Sequence, residues 1–530
     1  MKQALQPLKL AIMLAIGIGI GILLAPSRSS GGNRISQILQ LIRSNYVDTI
    51  NTDALEKTTI TNLLHSLDPH SNYFTALEAA HVNEPLEGGF EGIGIEFLLL
   101  EDTIYIAQVI DDGPSAKAGL KGGDKIVNVD GQALTGMNLS NEDVFKLLKG
   151  KEGSSVALGV CRAMEPKILN FKVNRGHVVI KSIDGYFMAD PETGYIKISR
   201  FAANTMDEYG IAFTAMREQG MKNLILDLRD NGGGYLNTAQ KLADEFLQSE
   251  AKILTTKGEH TGIETFSATS KGEFEKGKLI VLVNENSASA SEILSGALQD
   301  NDRALIVGRR TFGKGLVQNS FSLKDGSAVR LTISRYYTPT GRSIQRPYNH
   351  GFDQYEDDYR ARFKQGELFV EDSIKNNTNL VYTTVAGRRV YGGGGIVPDV
   401  FVALDSTRNS KLMGCLLEKN MLREVAYTYF DTHRSDLTKY SSVKEFQNGF
   451  QIPPALITQL KSTAANSGVE WDESDFIKSK AEIEKHLKAN IAKQLFKNNG
   501  LLYIENFDDN TFLKALNCLK SNLYFEKMKF

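Results

Sequence analysis

The sequence predicts a multidomain α/β protein: an N-terminal helical region, a small domain of short strands and glycine turns, an α/β core and a helical C-terminal extension. Three observations carry this. From Glu87 the texture changes to short strands and glycine turns, and after Arg175 strands alternate with helices. From Ser406 to Phe530 apolar residues recur at helical spacing, as in Leu412, Leu416, Leu417 and Met421. The 530 residues, 42% hydrophobic and 23% charged, suffice for several domains. A formal net charge of −2 gives no electrostatic case for nucleic acid. Cys161, Cys415 and Cys518 are far apart and odd in number, so neither a disulfide framework nor a zinc spacing is present.

Leu10 to Ala25 is an unbroken apolar run, preceded by Lys2 and Lys9 and followed by Arg28. Its length lies between that of a signal peptide and that of a membrane span, and no convincing A-x-A site follows. Residues 1–30 are therefore read as an uncleaved signal-anchor, with a cleaved signal as the alternative. Arg34 to about Glu84 is helical in pattern, with Ile35, Ile38, Leu39 and Ile42 on one face. It ends in Ser66 to Phe74, SLDPHSNYF, where His70 lies in a Pro-containing turn outside the expected core and is read as structural.

Within the glycine-rich domain, Gly92-Ile93-Gly94-Ile95 forms a glycine-relieved loop before a strand. Successive N–H groups there suit a carboxylate, and the strand offers an edge for β-augmentation. Val144 and Leu148, on the helix starting near Asn141, are expected to face the same groove. Beyond Arg175, Tyr195 to Ile198 reads as a strand, Thr205 to Glu218 as a helix and Asn223 to Leu228 as a buried strand. Asp230-Asn231-Gly232-Gly233-Gly234 then forms a turn into a helix near Ala239 to Phe246. No lysine and Ser/Thr pair follows it, so it is not a Walker loop.

The most informative stretch runs from Lys278 to Ser320. Leu279 to Val283 has the length and β-branched content of a buried strand, and a helix follows at once, with Ser287, Ser289 or Ser291 as cap and Glu292 in its first turn. A strand turning tightly into a helix lifts a serine hydroxyl to the sheet edge beside backbone N–H groups. Such a serine needs a base, and none of the eight histidines falls here. Lys314, between Gly313 and Gly315 and flanked by Phe312 and Leu316, is the local alternative, since desolvation favours a neutral amine. The plainer reading is a capped helix and a solvated lysine.

NENSASASEILSGALQD followed by GRRTFGKGLVQ resembles the active-site segment of the carboxyl-terminal processing peptidases, serine proteases with a Ser-Lys dyad. LDPHS, LDLRDNGGG and YYTPTGRSIQ continue the likeness, as do PSAKAGL and GGDKIVNVDG, which resemble a PDZ domain. The resemblance implies Ser289 as nucleophile, Lys314, 25 positions later, as general base, and Gln318 as the group orienting its amine. It implies oxyanion N–H groups on Ala290 and Gly233, a PDZ peptide site at Gly92, Ile93, Gly94 and Ile95, and no metal or cofactor. The expected fold becomes a β-sandwich-like PDZ domain (85–175) between a helical region (31–84) and a ClpP/crotonase-like protease core (176–405), with helices over 406–530. The match breaks at 346–391, a charged and aromatic insertion readable as a surface helix or a lid. The implied function is that of an exported serine endopeptidase cleaving unfolded or C-terminally exposed proteins. It would be held to the inner membrane with its catalytic part in the periplasm, or released there if the signal is cleaved. A silent PDZ scaffold and an apolar-ligand carrier are the alternatives, and the intact Ser289, Lys314 and Gln318 set argues against both. The tail's role in docking, homo-oligomerisation or simple extension stays open.

Overall fold

A computed structural model describes residues 34–100, 103–134, 136–162, 165–521 and 525–527. The proposed anchor, Leu10 to Ala25, lies outside them. Among the described residues no helix is long and apolar enough to cross a membrane. The chain divides into two compact units, up to Leu67 and from Asp68 onward. In the first, helices Arg34–Asn45 and Thr52–His65 are separate, and Asn51 caps the second by accepting from the Ala54 N–H at 3.0 Å.

In the second unit the short strand Asn72–Phe74 leads into the helix Ala76–Glu87, opened by a Thr75/Glu78 capping box and ended by left-handed Gly88 (φ 86°). The PDZ domain follows as an antiparallel sheet in the order Ile95–Leu100, Thr103–Val109, Lys125–Val129, Ser155–Cys161, Leu169–Asn174. Ile95–Leu100 is thus an edge strand. Inward-facing Ile104, Ile106, Ile126, Val156, Leu158 and Val160 form its core. Val144 and Leu148 belong to that core as well, at 0% and 4% exposure, so the helix Asn141–Leu148 turns Phe145 toward the strand Ile95–Leu100. The expectation that Val144 faces the groove is corrected by one helical step.

The α/β core is a six-stranded sheet ordered Ile183–Asp190, Thr193–Ile198, Asn223–Asp227, Leu279–Val283, Leu305–Gly308, Val400–Phe401, parallel after the first hairpin. Near-continuous apolar runs are what a sheet covered on both faces requires. On one face Leu224, Leu226, Val281, Val283 and Ile306 pack against helices Thr205–Glu218, Leu236–Asp244 and Ala290–Asp300. On the other, Tyr195, Ile225, Ile280, Leu282 and Val307 are covered by Phe512, Ala515 and Leu519 of the C-terminal helix Asn510–Ser521. The tail therefore docks as part of the core. A second sheet pairs the strand Ala328–Tyr337 with Leu316–Ser322, Lys252–Gly258 and Asn72–Phe74. The His70 turn thereby lies against the core, not outside it.

The remaining helices, from Lys411–Glu418 to Glu473–Asn506, close around their own apolar cluster. The last of them is broken at Phe496 and Lys497, where Lys497 takes φ 57° and ψ −155°. Beside this break, Lys497 pairs with Asp111 at 3.5 Å and Lys493 donates to Gln108, both in the PDZ domain. A cavity of about 1400 Å³ lies between the tail and the peptide loop of that domain.

Candidate active site

Strand Leu279–Val283 delivers the chain to a loop in which each serine has a different fate. The Ser287 hydroxyl donates to the Leu228 carbonyl at 2.8 Å, and that of Ser291 to the Asn231 carbonyl at 2.8 Å. Both lock the loop to the LDLRDNGGG turn. Ser289 stands between them, half-buried, at φ 56° and ψ −113°, a conformation that costs a non-glycine residue about 1–3 kcal/mol. Helix Ala290–Asp300 starts immediately after it, so the Ala290 N–H is the first helical amide and has no acceptor inside the helix.

Glu292 holds the two halves of the site together. Its buried carboxylate accepts from the Ser289 N–H at 2.9 Å and the Lys314 N–H at 2.8 Å on one oxygen, and from the Gly313 N–H at 2.7 Å and the Thr311 hydroxyl at 2.5 Å on the other. Burial pushes its carboxyl up to about 7 despite these donors. The buried Tyr336 hydroxyl adds a second tie, lying 2.9 Å from the Lys314 carbonyl and 3.3 Å from that of Ser289. Neither residue was marked in the sequence as part of the site. Glu292 looked like an ordinary first-turn acid, and Tyr336 one of many strand residues.

The Lys314 amine donates to Gln318 Oε1 at 2.9 Å, and Gln318 Nε2 donates to the His70 carbonyl at 2.5 Å, which fixes the amide's orientation. A register shift between Val317 and Gln318 falls at this point. Burial, helped by Arg330 and opposed by Asp68 and Glu292, lowers the Lys314 ammonium to about 8. No hydrogen bond joins Ser289 Oγ to Lys314 Nζ in this conformation, so the two are brought into one site without being engaged.

Gly233 lies against Ser289. A methyl group there would sit 2.8 Å from Ser289 Cβ and 3.0 Å from the Ala290 nitrogen, at a φ of 105° that glycine alone takes easily. Its N–H, however, donates to Asn231 Oδ1 at 2.8 Å. The short Asn231 side chain folds back two residues and holds the amide in this conformation.

In the PDZ domain, Gly92 ends the ladder Gly89–Gly92 with Gly176–Val179, and Ile93 is buried in the core. The Ile93 carbonyl accepts from Ser115 and that of Gly94 from Ile110. Ile95 begins the edge strand. Phe97 on that strand meets Phe145 edge-to-face at 5.4 Å across the groove. Lys149 lies over Phe90 and Phe145 and pairs with Glu84.

A PDZ domain joined to an α/β core with a serine on a strand-to-helix turn defines a serine-type endopeptidase. Residues 192–353 match Peptidase family S41, 92–174 a PDZ domain, and 412–497 a family of unknown function. The chain belongs to the carboxy-terminal-processing protease family. It is 36% identical over 317 residues to a carboxy-terminal-processing protease of Bartonella bacilliformis, covering 59% of this chain and 72% of that one. It is 34% identical over 313 residues to a CtpA-like serine protease of Staphylococcus haemolyticus, covering 59% of this chain and 62% of the relative. Among solved structures, the photosystem II D1 C-terminal processing protease matches at 26% identity with a TM-score of 0.36, over 72% of this chain and 90% of that one.

Proposed function

We propose that this peptidase works by a Ser289–Lys314 dyad and selects substrates through their C-termini. The observation that carries the reading is the Glu292 carboxylate, which binds the backbone N–H groups of both Ser289 and Lys314. It keeps a strained serine and a desolvated lysine in one site. Neutral Lys314 takes the hydroxyl proton as Ser289 Oγ attacks the scissile carbonyl, and the proton then passes to the leaving amine. The resulting acyl-enzyme is hydrolysed by water activated by the same amine. The Ala290 N–H stabilises the oxyanion, and Gly233 joins it once its amide leaves Asn231. Gln318 holds the amine until the bound substrate draws it to Ser289; hydrogen bonds of this kind often tighten only in the complex.

Substrate selection belongs to Gly92 to Ile95 and the edge strand, which can add an extended C-terminus by backbone pairing. We also propose that the chain is exported and held at the membrane by Leu10 to Ala25, on the strength of that segment's composition.

The test uses an unstructured protein ending in Val or Leu. Wild type should cleave it and Ser289→Ala should not. Amidating the substrate's C-terminus should raise KM without moving the cleavage site. Equal KM values for free and amidated termini would remove the PDZ domain from substrate selection.

A further inference from the structure

The 346–391 insertion is built into the wall of the active site. The Arg346 N–H donates to the Gly313 carbonyl at 2.9 Å, and its guanidinium lies 4.4 Å from the Phe312 ring and 3.9 Å from that of Tyr355. Arg362 donates to the Thr311 carbonyl at 2.9 Å and the Arg310 carbonyl at 2.6 Å, while Glu367 accepts from both arginines, Arg310 and Arg362. These contacts hold the loop that presents Lys314. On the nucleophile side, Tyr359 bonds to Asn286 at 2.6 Å.

The helix Phe352–Lys364 also reaches the lysine from behind. The hydroxyl of Tyr355, 1% exposed, bonds to His70 Nε2 at 3.0 Å, and the two rings meet edge-to-face at 5.3 Å. The His70 carbonyl holds Gln318, and Gln318 holds Lys314. We propose that the insertion positions the general base, and that Tyr355 is the positioning residue through which it acts. This rests on the dyad reading above. The ring of Tyr355 keeps water from the His70 turn, and its hydroxyl fixes the imidazole, so that the carbonyl aims Gln318 at the amine. A lysine kept dry in this way loses its proton more readily.

The charged groups facing Lys314 are Arg330 on the strand Ala328–Tyr337, Asp68 on the turn and Glu292 on the helix after Ser289; His70, pushed down to about 3 by burial, faces it as a neutral imidazole. Those facing His70 are Lys314, Asp68 and Arg346. Tyr355→Ala removes none of these charges, so a changed titration would report hydration and orientation of the amine, not loss of a charge.

The experiment measures kcat against pH in the full-length protein, corrected for the folded fraction. Tyr355→Ala should move the midpoint of the rising limb alkaline by about one unit, lowering kcat about tenfold well below that midpoint. Tyr355→Phe keeps the ring and loses the hydroxyl. It should leave the midpoint in place and lower kcat about fivefold, the worth of one neutral hydrogen bond, with KM unchanged. An unmoved limb in Tyr355→Ala together with an inactive Lys314→Ala overturns the positioning role alone. Wild-type cleavage by Lys314→Ala overturns the dyad and the positioning role together. Should Tyr355→Ala fail to fold, wild-type kcat in Tyr355→Phe counts against the proposal.

Discussion

Replacing Lys314 with arginine is expected to abolish cleavage, lowering kcat by about 10³-fold or more and matching Ser289→Ala and Lys314→Ala. Arginine keeps the positive charge and much of the length, so a lysine that merely paired with a substrate charge would tolerate it. A guanidinium stays protonated at any working pH and cannot accept the serine proton. The Ser289→Ala, Lys314→Arg double variant should be no worse than either single one, because groups acting as a unit lose their effect together. Turnover is to be followed by mass spectrometry on an unstructured substrate, with circular dichroism confirming that each variant is folded. Gln318→Ala should be far milder, since it frees the amine without removing it.

The largest expected effect on stability lies at the other end of the chain. Phe512→Ala should destabilise the protein by about 3–5 kcal/mol, the usual range for a buried phenylalanine, read as a lower urea midpoint. The ring is 5% exposed and stands edge-on to Tyr195 at 5.4 Å. Tyr195 in turn donates to Asp227 at 2.7 Å, at the foot of the LDLRDNGGG turn. Asp227 is held well below the usual carboxylate range by Arg229 and Lys197, which outweigh burial. Arg229 reaches out to Asp509 at 2.8 Å and Asn506 at 3.2 Å in the tail. The tail thus covers one face of the sheet and anchors the turn that carries Gly233. A full-length Phe512→Ala with a wild-type urea midpoint would mean that the helix Asn510–Ser521 is only loosely applied.

The order of elements was legible because strand and helix periods are strong where burial is complete, as in Leu279–Val283 and Thr205–Glu218. Ser289, Lys314 and Gln318 could be nominated from the sequence because they lie close together in it and their motif is distinctive. What sequence hid were the long-range ties. Glu292 joins residues on two loops, and the burial that makes it a clamp is invisible in a capping pattern. His70 seemed to lie outside the core because the pairing of Asn72–Phe74 with Ala328–Tyr337 spans over 250 residues. Val144 was misplaced because both faces of a two-turn helix carry apolar residues, and only packing decides which is inside. The Gly233 amide depends on a side-chain rotamer of Asn231, and the insertion on aromatic contacts of Arg346, neither of which has a sequence period.

The claim at the centre is that a neutral lysine activates Ser289. Its most direct test is the pH dependence of single-turnover cleavage under saturating substrate. With Lys314 lowered to about 8, the deprotonated fraction grows as pH rises through that value, so the rate should climb to a plateau above pH 9. At pH 7, one unit below the midpoint, about a tenth of the plateau rate is expected. A limb centred near 6.5, the ordinary range of histidine, would contradict the account and assign the proton to another base.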